Sequence, residues 1–205
     1  METPHRPVNG ELSEMIRAHF EHGYKGHCID VGASDGVYIN TTYLLEKAYG
    51  WTVLSVEPNP SCAHSLRRYR DFIELCACSD KPSESIMWIN DDNPESFSSL
   101  RPTTRRDLEG AKDIRWSRIK VRVDTVDNLL NKWEFPKLDV LCIDTEGTEK
   151  DVLEGANLSK WNPKVIVSES WDEDGGEVRK YLEQRGYERI RRTVHNDIYL
   201  RTEDK

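Results

Sequence analysis

Short apolar runs recur along the chain, separated by stretches whose apolar positions repeat at helical spacing. An N-terminal helix is expected within residues 8–24. From Gly10 to Tyr24, Leu12, Met15, Ile16, Ala18 and Phe20 favour one side, and Gly23 follows the last turn. His27 to Val31 reads as a strand ending at Gly32, Thr41 to Tyr49 as a helix closed by Gly50, and Trp51 to Val56 as the next strand. Pro58 and Pro60 break the chain before a helix from Ser61 to Tyr69. Phe72 to Cys78 reads as a third strand, and Ser85 to Ile89 as a fourth at a sheet edge.

A long polar stretch follows, Asn90 to Ser117, holding Pro94, Pro102 and Gly110. Irregular segments of this length inside a domain are usually functional loops, so residues 90–117 are expected to be a substrate lid. Beyond it Ile119 to Val123 alternates as a strand and Val126 to Trp133 is helical. Leu138 to Ile143 is nearly all apolar, as a central parallel strand covered on both faces must be. Glu149 to Gly155 reads as a helix, Val165 to Val167 as a strand, and Gly176 to Arg185 as a helix stopped by Gly186. Arg189 to Thr193 and Ile198 to Arg201 form a terminal hairpin around His195-Asn196-Asp197. Alternating strands and helices predict an α/β fold with a mostly parallel sheet, and the hairpin adds an antiparallel strand. In such sheets ligands sit beyond the carboxyl ends of the strands, so chemistry is sought there.

Composition narrows the function classes. With 205 residues, one domain over 1–205 is expected. No apolar run approaches the roughly 18 residues of a membrane span. Met1 to Gly10 holds no apolar stretch, which argues against a secretory leader there. The net charge of −8 disfavours a nucleic-acid partner, since a protein gripping a phosphate backbone usually carries the opposite balance. The cysteines, Cys28, Cys62, Cys76, Cys78 and Cys142, are five in number and contain no Cys-x-x-Cys pair. Buried thiols in a reducing, cytoplasmic setting are the expectation, and no zinc-ligand spacing is visible.

Four strand ends carry candidate chemistry. After the first comes Asp30-Val31-Gly32-Ala33-Ser34-Asp35-Gly36. Gly32 and Gly36 permit a sharp turn and close ligand approach. Their spacing is not the Gly-x-Gly-x-x-Gly of a dinucleotide site. The flanking carboxylates Asp30 and Asp35 suit a cation rather than a diphosphate, and a sulfonium-bearing ligand such as S-adenosylmethionine has that sign. The second strand ends in Glu57, 25 residues after Gly32, where a carboxylate can accept from both hydroxyls of a ribose. The third ends at Cys78-Ser79-Asp80, beside which an adenine would lie, with Asp80 or backbone near Cys78 meeting its amino edge. An ordinary Asp80-Lys81-Pro82 turn accounts for those residues equally well. The buried strand ending at Ile143 delivers Asp144, Glu146 and Glu149. Glu149 is placed at a helix start, where its charge meets the positive dipole end. Asp144 and Glu146 could act as a base or hold a divalent cation by oxygen. Glu169 is a further acid on the same rim.

Taken together, Asp-Val-Gly-Ala-x-Asp-Gly-Val-Tyr, Asn-Thr-x-Tyr-Leu-Leu-Glu, Glu-Pro-Asn-Pro and Ile-Asp-Thr-Glu-Gly-Thr-Glu resemble the FkbM family of S-adenosylmethionine-dependent methyltransferases, from about His27 to Tyr199. The resemblance implies a Rossmann-like class I methyltransferase with a mostly parallel seven-stranded sheet and an antiparallel C-terminal hairpin strand. It implies transfer of a methyl group to a hydroxyl of a sugar, such as a deoxysugar in a glycan, or of a natural product. S-adenosylhomocysteine would be the product. It places Asp30, Gly32, Asp35, Gly36 and Glu57 on cofactor positions, joined here by Ser34, Pro58, Cys78 and Asp80. Asp144 and Glu146 fall on the family's fourth-strand motif and are the catalytic candidates, and the candidate ligands of any divalent metal. Tyr38, Asn40, Thr41, Glu169 and His195 are the candidate contacts of the acceptor.

The chain carries little beyond a core domain, so acceptor recognition is expected from residues 90–117, the N-terminal helix or a partner. Arg101, Arg105 and Arg106 read as a solvated face or as a grip on an anionic substrate group. Trp88, Trp116 and Trp171 read as packing residues or as platforms for a sugar ring. His195 sits in a polar turn that could face the cleft. A non-catalytic binding scaffold and a nicotinamide-dependent sugar-modifying enzyme stand as the alternatives. The glycine spacing argues against the second.

Overall fold

A computed structural model describes residues 10–38, 40–92, 98–101 and 115–204. In chain order the elements are α1 (Gly10–Arg17), β1 (His27–Val31), α2 (Tyr43–Lys47), β2 (Thr52–Val56), α3 (Ala63–Tyr69), β3 (Phe72–Glu74), β4 (Ala77–Cys78), β5 (Ser83–Asn90) and β6 (Trp116–Asp124). They continue with α4 (Val126–Lys132), β7 (Val140–Ile143), α5 (Glu149–Glu154), α6 (Leu158–Trp161), β8 (Val165–Glu169), α7 (Gly176–Glu183), β9 (Tyr187–Arg192) and β10 (Asn196–Arg201).

Seven strands form one sheet in the order β3-β2-β1-β7-β8-β10-β9. All pairings are parallel except those of β10, which runs antiparallel to both β8 and β9. This is the predicted α/β arrangement, with the terminal hairpin closing one edge. The alternation of each strand sends successive side chains to opposite faces. Ile29, Val31, Leu54, Val56, Leu141, Ile143 and Ile166 pack with Val126, Leu129 and Leu130 of α4, Val152 and Leu153 of α5, and Leu182 of α7. Cys28, Val53, Val140, Cys142, Val165 and Val167 face the other way, onto Leu12 and Ile16 of α1 and Leu45 of α2. All five cysteines are buried free thiols.

The register matters for function. Val31 lies opposite both Val56 and Ile143, so β1, β2 and β7 end level and their loops emerge side by side. The order in which strands are added reverses between β1 and β7, which run parallel, because β2 and β3 build outward on one side and β8 on the other. A crevice at such a point is where doubly wound sheets bind ligands.

Two expectations are corrected. The run Phe72 to Cys78 is not one strand. Its first part, β3, pairs with β2, whereas Ala77 and Cys78 pair with β6 in a second sheet ordered β4-β6-β5. Glu74 marks the break. Its carboxylate is held by Lys132 at 2.7 Å, by the Trp133 indole N–H at 2.9 Å and by Arg122. Beyond it Cys76 and Cys78 join the main core and Ala77 joins the small one. The strand expected at Ser85 to Ile89 is Ser83–Asn90, and it does lie at a sheet edge, that of the small sheet, where it pairs with β6. The first helix is also shorter than expected, ending at Arg17. Phe20 and Tyr24 lie beyond it, with ring centroids 5.2 Å apart, and both meet Trp51 edge-on. Parts of the expected lid, 93–97 and 102–114 with Pro94, Pro102, Arg105, Arg106 and Gly110, lie outside the described residues. Among the described residues no helix is long and apolar enough to cross a membrane.

Leu141 sits on the central strand, opposite Ile29 and Ile166, with no exposed surface. Leu141→Ala is expected to lower the unfolding free energy by about 2–5 kcal/mol in urea titration, because close neighbours on both sides limit collapse into the cavity.

Candidate active site

A cavity of about 560 Å³ opens at the carboxyl ends of β1, β2, β7 and β8. Its floor rests on one backbone contact. Gly32 has φ +87°, and a Cβ placed there would lie 1.7 Å from the Asp144 carbonyl oxygen. The loop after β1 therefore rides directly on the loop after β7, a position only glycine can occupy. Gly32 N–H and Ala33 N–H both donate to the Val56 carbonyl, at 2.9 and 3.1 Å, and Asp144 N–H donates to Val31 at 2.9 Å.

Carboxylates dominate the wall. Asp30, 4% exposed, accepts at one oxygen from the Asn40 amide at 2.8 Å and from the Thr42 hydroxyl at 2.7 Å. Glu57, 6% exposed, accepts from Ser34 N–H at 3.0 Å and from Asn59 N–H at 2.8 Å, one at each oxygen. Burial pushes the Glu57 carboxyl up to about 7. The two backbone donors oppose that shift, and the charges of Asp30 and Asp144 add to it. Asp144 is exposed, Glu146 half-buried and Glu169 buried, and one ligand oxygen from each lies within 4.8 Å of the others. With Glu11 these make six carboxylates around the cavity, and no Lys or Arg occurs among the described lining residues.

The turn after β7 is built to present these acids. Glu146 and Gly147 both take positive φ, +60° and +104°. Glu149 opens α5 as expected, and its carboxylate reaches back to accept from Thr145 N–H at 3.1 Å and Gly147 N–H at 3.0 Å. Ser99, bridged to Trp88 of β5, donates its hydroxyl to the Glu146 carbonyl at 2.9 Å. At the mouth Trp171 donates to Glu169 at 2.7 Å and leans on the His195 ring, centroids 4.4 Å apart. Trp171 is 42% exposed and Tyr38 56%.

Of the residues singled out from sequence, the cavity is lined by Asp30, Gly32, Ser34, Glu57, Pro58, Cys78, Tyr38, Asn40, Thr41, Asp144, Glu146, Glu169 and His195. Three expected cofactor contacts stand elsewhere. Asp35 folds its carboxylate back onto Val37 and Tyr38 N–H, both at 2.8 Å, closing its own turn. Gly36 faces Leu66 and Arg70, where a Cβ would meet the Arg70 stem at 2.8 Å. The Asp80 side chain is 47% exposed and accepts from Ser79 at 3.2 Å, as a surface turn does. Asn40 lines the cavity, but its amide is committed to Asp30 and to the Ala33 carbonyl. The Arg101 guanidinium is turned to Asp151 at 2.5 Å, away from the anion-binding role weighed for it. The cavity is also lined by Glu11, Leu12 and Met15 of α1 and by Ser99, in the two segments expected to serve acceptor recognition though not named there as site residues, and by Val194, which was not anticipated. Nothing in the α1 pattern separates a cavity-lining face from a core face. Trp171 was legible, lying two residues beyond the end of β8.

A sequence profile of the Methyltransferase FkbM domain matches residues 30–189. The chain belongs to this family. No functionally curated protein matches it. The crystal structure of the FkbM methyltransferase from Methylobacillus flagellatus KT superposes with a TM-score of 0.56 at 15% identity, covering 86% of this chain and 43% of that one. The present FkbM-family chain thus spans less than half the length of that protein. The METTL16 methyltransferase domain gives 0.51 at 10% identity, over 98% of this chain and 69% of that one. The human methyltransferase 10 domain-containing protein gives 0.50 at 11%, over 97% and 82%. At these identities the likeness shows the fold, that of class I methyltransferases.

The raised Glu57 carboxyl has a measurable consequence. Its folded value of about 7 exceeds the ordinary 4.5, so the folded state binds more protons between those limits. Stability is therefore expected to fall as pH rises through 7, by about 1 kcal/mol between pH 6 and pH 8. Urea midpoints at the two pH values measure it, and Glu57→Gln should flatten the difference. An unchanged pH dependence in that variant would assign the proton to another group.

Proposed function

We propose that the chain is an S-adenosylmethionine-dependent O-methyltransferase acting on a hydroxyl of a sugar or a hydroxyl-bearing natural product. The observation that carries it is the conjunction of Glu57, Gly32 and Asp144 around one cavity at the reversal point of the sheet, in an FkbM-family chain. The donor set fits the cofactor. The Glu57 carboxylate suits a vicinal diol, since each oxygen can accept one hydroxyl. The charged side chains among the described lining residues are acidic, which suits a ligand bearing sulfonium and ammonium charges. When bound, S-adenosylmethionine supplies an electrophilic methyl group on a positively charged sulfur.

The chain's own residues then have three tasks. Glu57, Asp30 and the Gly32 turn hold and orient the cofactor. Trp171 and Tyr38, exposed at the mouth, offer faces on which the C–H side of a sugar ring can rest, with Glu169 and His195 beside them. Asp144 or Glu146 would take the proton of the acceptor hydroxyl, freeing its oxygen to attack the methyl group that the bound cofactor would supply. The charges of the three clustered acids repel, which favours a proton on one of them once the hydroxyl gives it up.

Calorimetry tests the cofactor site. Glu57→Ala is expected to weaken S-adenosylmethionine binding by about 1–3 kcal/mol, and an unchanged affinity would remove Glu57 from the site. Asp144→Asn is expected to lower turnover about 10²–10⁴-fold with cofactor affinity changed less. Mass spectrometry over a panel of sugars and glycans supplies the acceptor for that assay. Activity that persists in chelator and falls at acid pH supports a carboxylate base acting alone. Activity lost to chelator and restored by magnesium or manganese assigns the same acids to a divalent cation.

A further inference from the structure

Beneath the cofactor loop lies a buried chain of polar groups. Arg70 follows α3 in extended backbone, φ −115° and ψ 144°, which turns its side chain inward, and none of that side chain is exposed. Its three guanidinium nitrogens are all used. Nε donates to Glu46 at 2.6 Å. One terminal nitrogen donates to the Gly36 carbonyl at 3.0 Å and to the Asn40 amide oxygen at 2.9 Å. The other donates to the Thr42 hydroxyl at 2.7 Å. Asn40 and Thr42 are the two groups that donate to Asp30.

We infer that Arg70 is a positioning residue for the cofactor loop, acting on the Asp30 carboxylate through Asn40 and Thr42 and on the turn 33–36 through the Gly36 carbonyl. The inference rests on the cofactor reading given above.

The hydrogen-bond directions support it. Thr42 has one proton and two acceptors in reach, Asp30 at 2.7 Å and the Asn40 amide oxygen at 3.1 Å; that amide oxygen already accepts from Arg70 and Thr42 N–H, so the proton is directed to Asp30. Asn40 could flip its amide, but Arg70 and Thr42 N–H both donate to one end and so fix the oxygen there. The amide nitrogen is then aimed at Asp30 and Ala33. Reaching four acceptors from three nitrogens of one planar fork is a property of guanidinium, and the single nitrogen of an ammonium, with three donors, cannot reproduce it. Glu46 stands on the far side of Arg70. It neutralises the buried charge and its carboxylate also accepts from Asp71 N–H at 3.0 Å; its link to Thr42 is a backbone one, Glu46 N–H donating to the Thr42 carbonyl at 3.2 Å, which a change of the Glu46 side chain to Gln leaves in place. The network therefore has a structural end and a positioning end, and these can be separated.

The experiment compares Arg70→Lys, Thr42→Val and Glu46→Gln for thermal midpoint and for S-adenosylmethionine affinity by calorimetry. Thr42→Val keeps shape and removes only the hydroxyl, so it guards against a misfolded Arg70 variant. Arg70→Lys and Thr42→Val should weaken binding about tenfold. Glu46→Gln should lower the midpoint while binding stays within about twofold. Wild-type affinity in Thr42→Val and Arg70→Lys, or equal losses in all three variants, would overturn the inference. A wild-type protein that does not bind S-adenosylmethionine would overturn the cofactor reading instead. Amide exchange at Gly36, Val37 and Tyr38 then decides the present one. Faster exchange in Thr42→Val but not in Glu46→Gln supports it, and no difference between the two refutes it.

Discussion

The site depends on a backbone-to-backbone contact at Gly32. Two loops leave the sheet level with each other because β1 and β7 end in register, and they can share one crevice only if nothing stands between them. The Asp144 carbonyl occupies the space a Gly32 side chain would need. Any larger residue would push the loops apart, and the separation between Asp30 and Glu57 and the acids after β7 would change with it. The fold thus converts strand register, set by core packing of Ile29, Leu54 and Leu141, into the spacing of carboxylates.

Gathering that much negative charge is costly, and the structure handles each acid differently. Asp30 has side-chain donors backed by a buried guanidinium. Glu57 has two backbone donors, too few to offset burial beside other acids, so its carboxyl is held near neutrality. Asp144 stays exposed to the cavity. A site assembled this way holds a cation better than an anion. It also leaves Glu57 poised so that hydroxyl donors from a bound diol would stabilise its charged form and release a proton. Ligand binding and proton release are then two readings of one event, in keeping with the pH dependence expected of the free protein.

Much of this was legible in the sequence, for identifiable reasons. Strand ends mark the crevice in a parallel sheet, so Asp30, Glu57, Asp144 and Glu169 could be named from the alternation of apolar runs and the acids that terminate them. The same reasoning failed where a residue serves the loop instead of the cavity. Asp35 and Gly36 lie in the right turn, yet the local hydrogen bonds of Asp35 and the packing of Gly36 on Arg70 take them out of the wall. Phe72 to Cys78 looked like one strand because it is apolar at every position but Glu74, while that single buried acid divides it between two sheets.

Arg70 shows the limit most clearly. In the run Arg67-Arg68-Tyr69-Arg70 three arginines are alike by composition, and the ordinary reading is a solvated helix end. Arg67 and Arg68 are indeed exposed, whereas Arg70 is buried. The difference lies in one backbone step: α3 ends, Arg70 adopts extended φ and ψ, and the side chain swings under the loop that Gly36 has left open. Glu46 closes the run Asn-Thr-x-Tyr-Leu-Leu-Glu within a helical segment, which says nothing of its partner, and its pairing with Arg70 joins positions 24 residues apart. Buried ion pairs of this kind are poor evidence for stability, because desolvation offsets their attraction. Their use is in fixing one arrangement among several, and here the arrangement fixed is the direction of two donors onto Asp30.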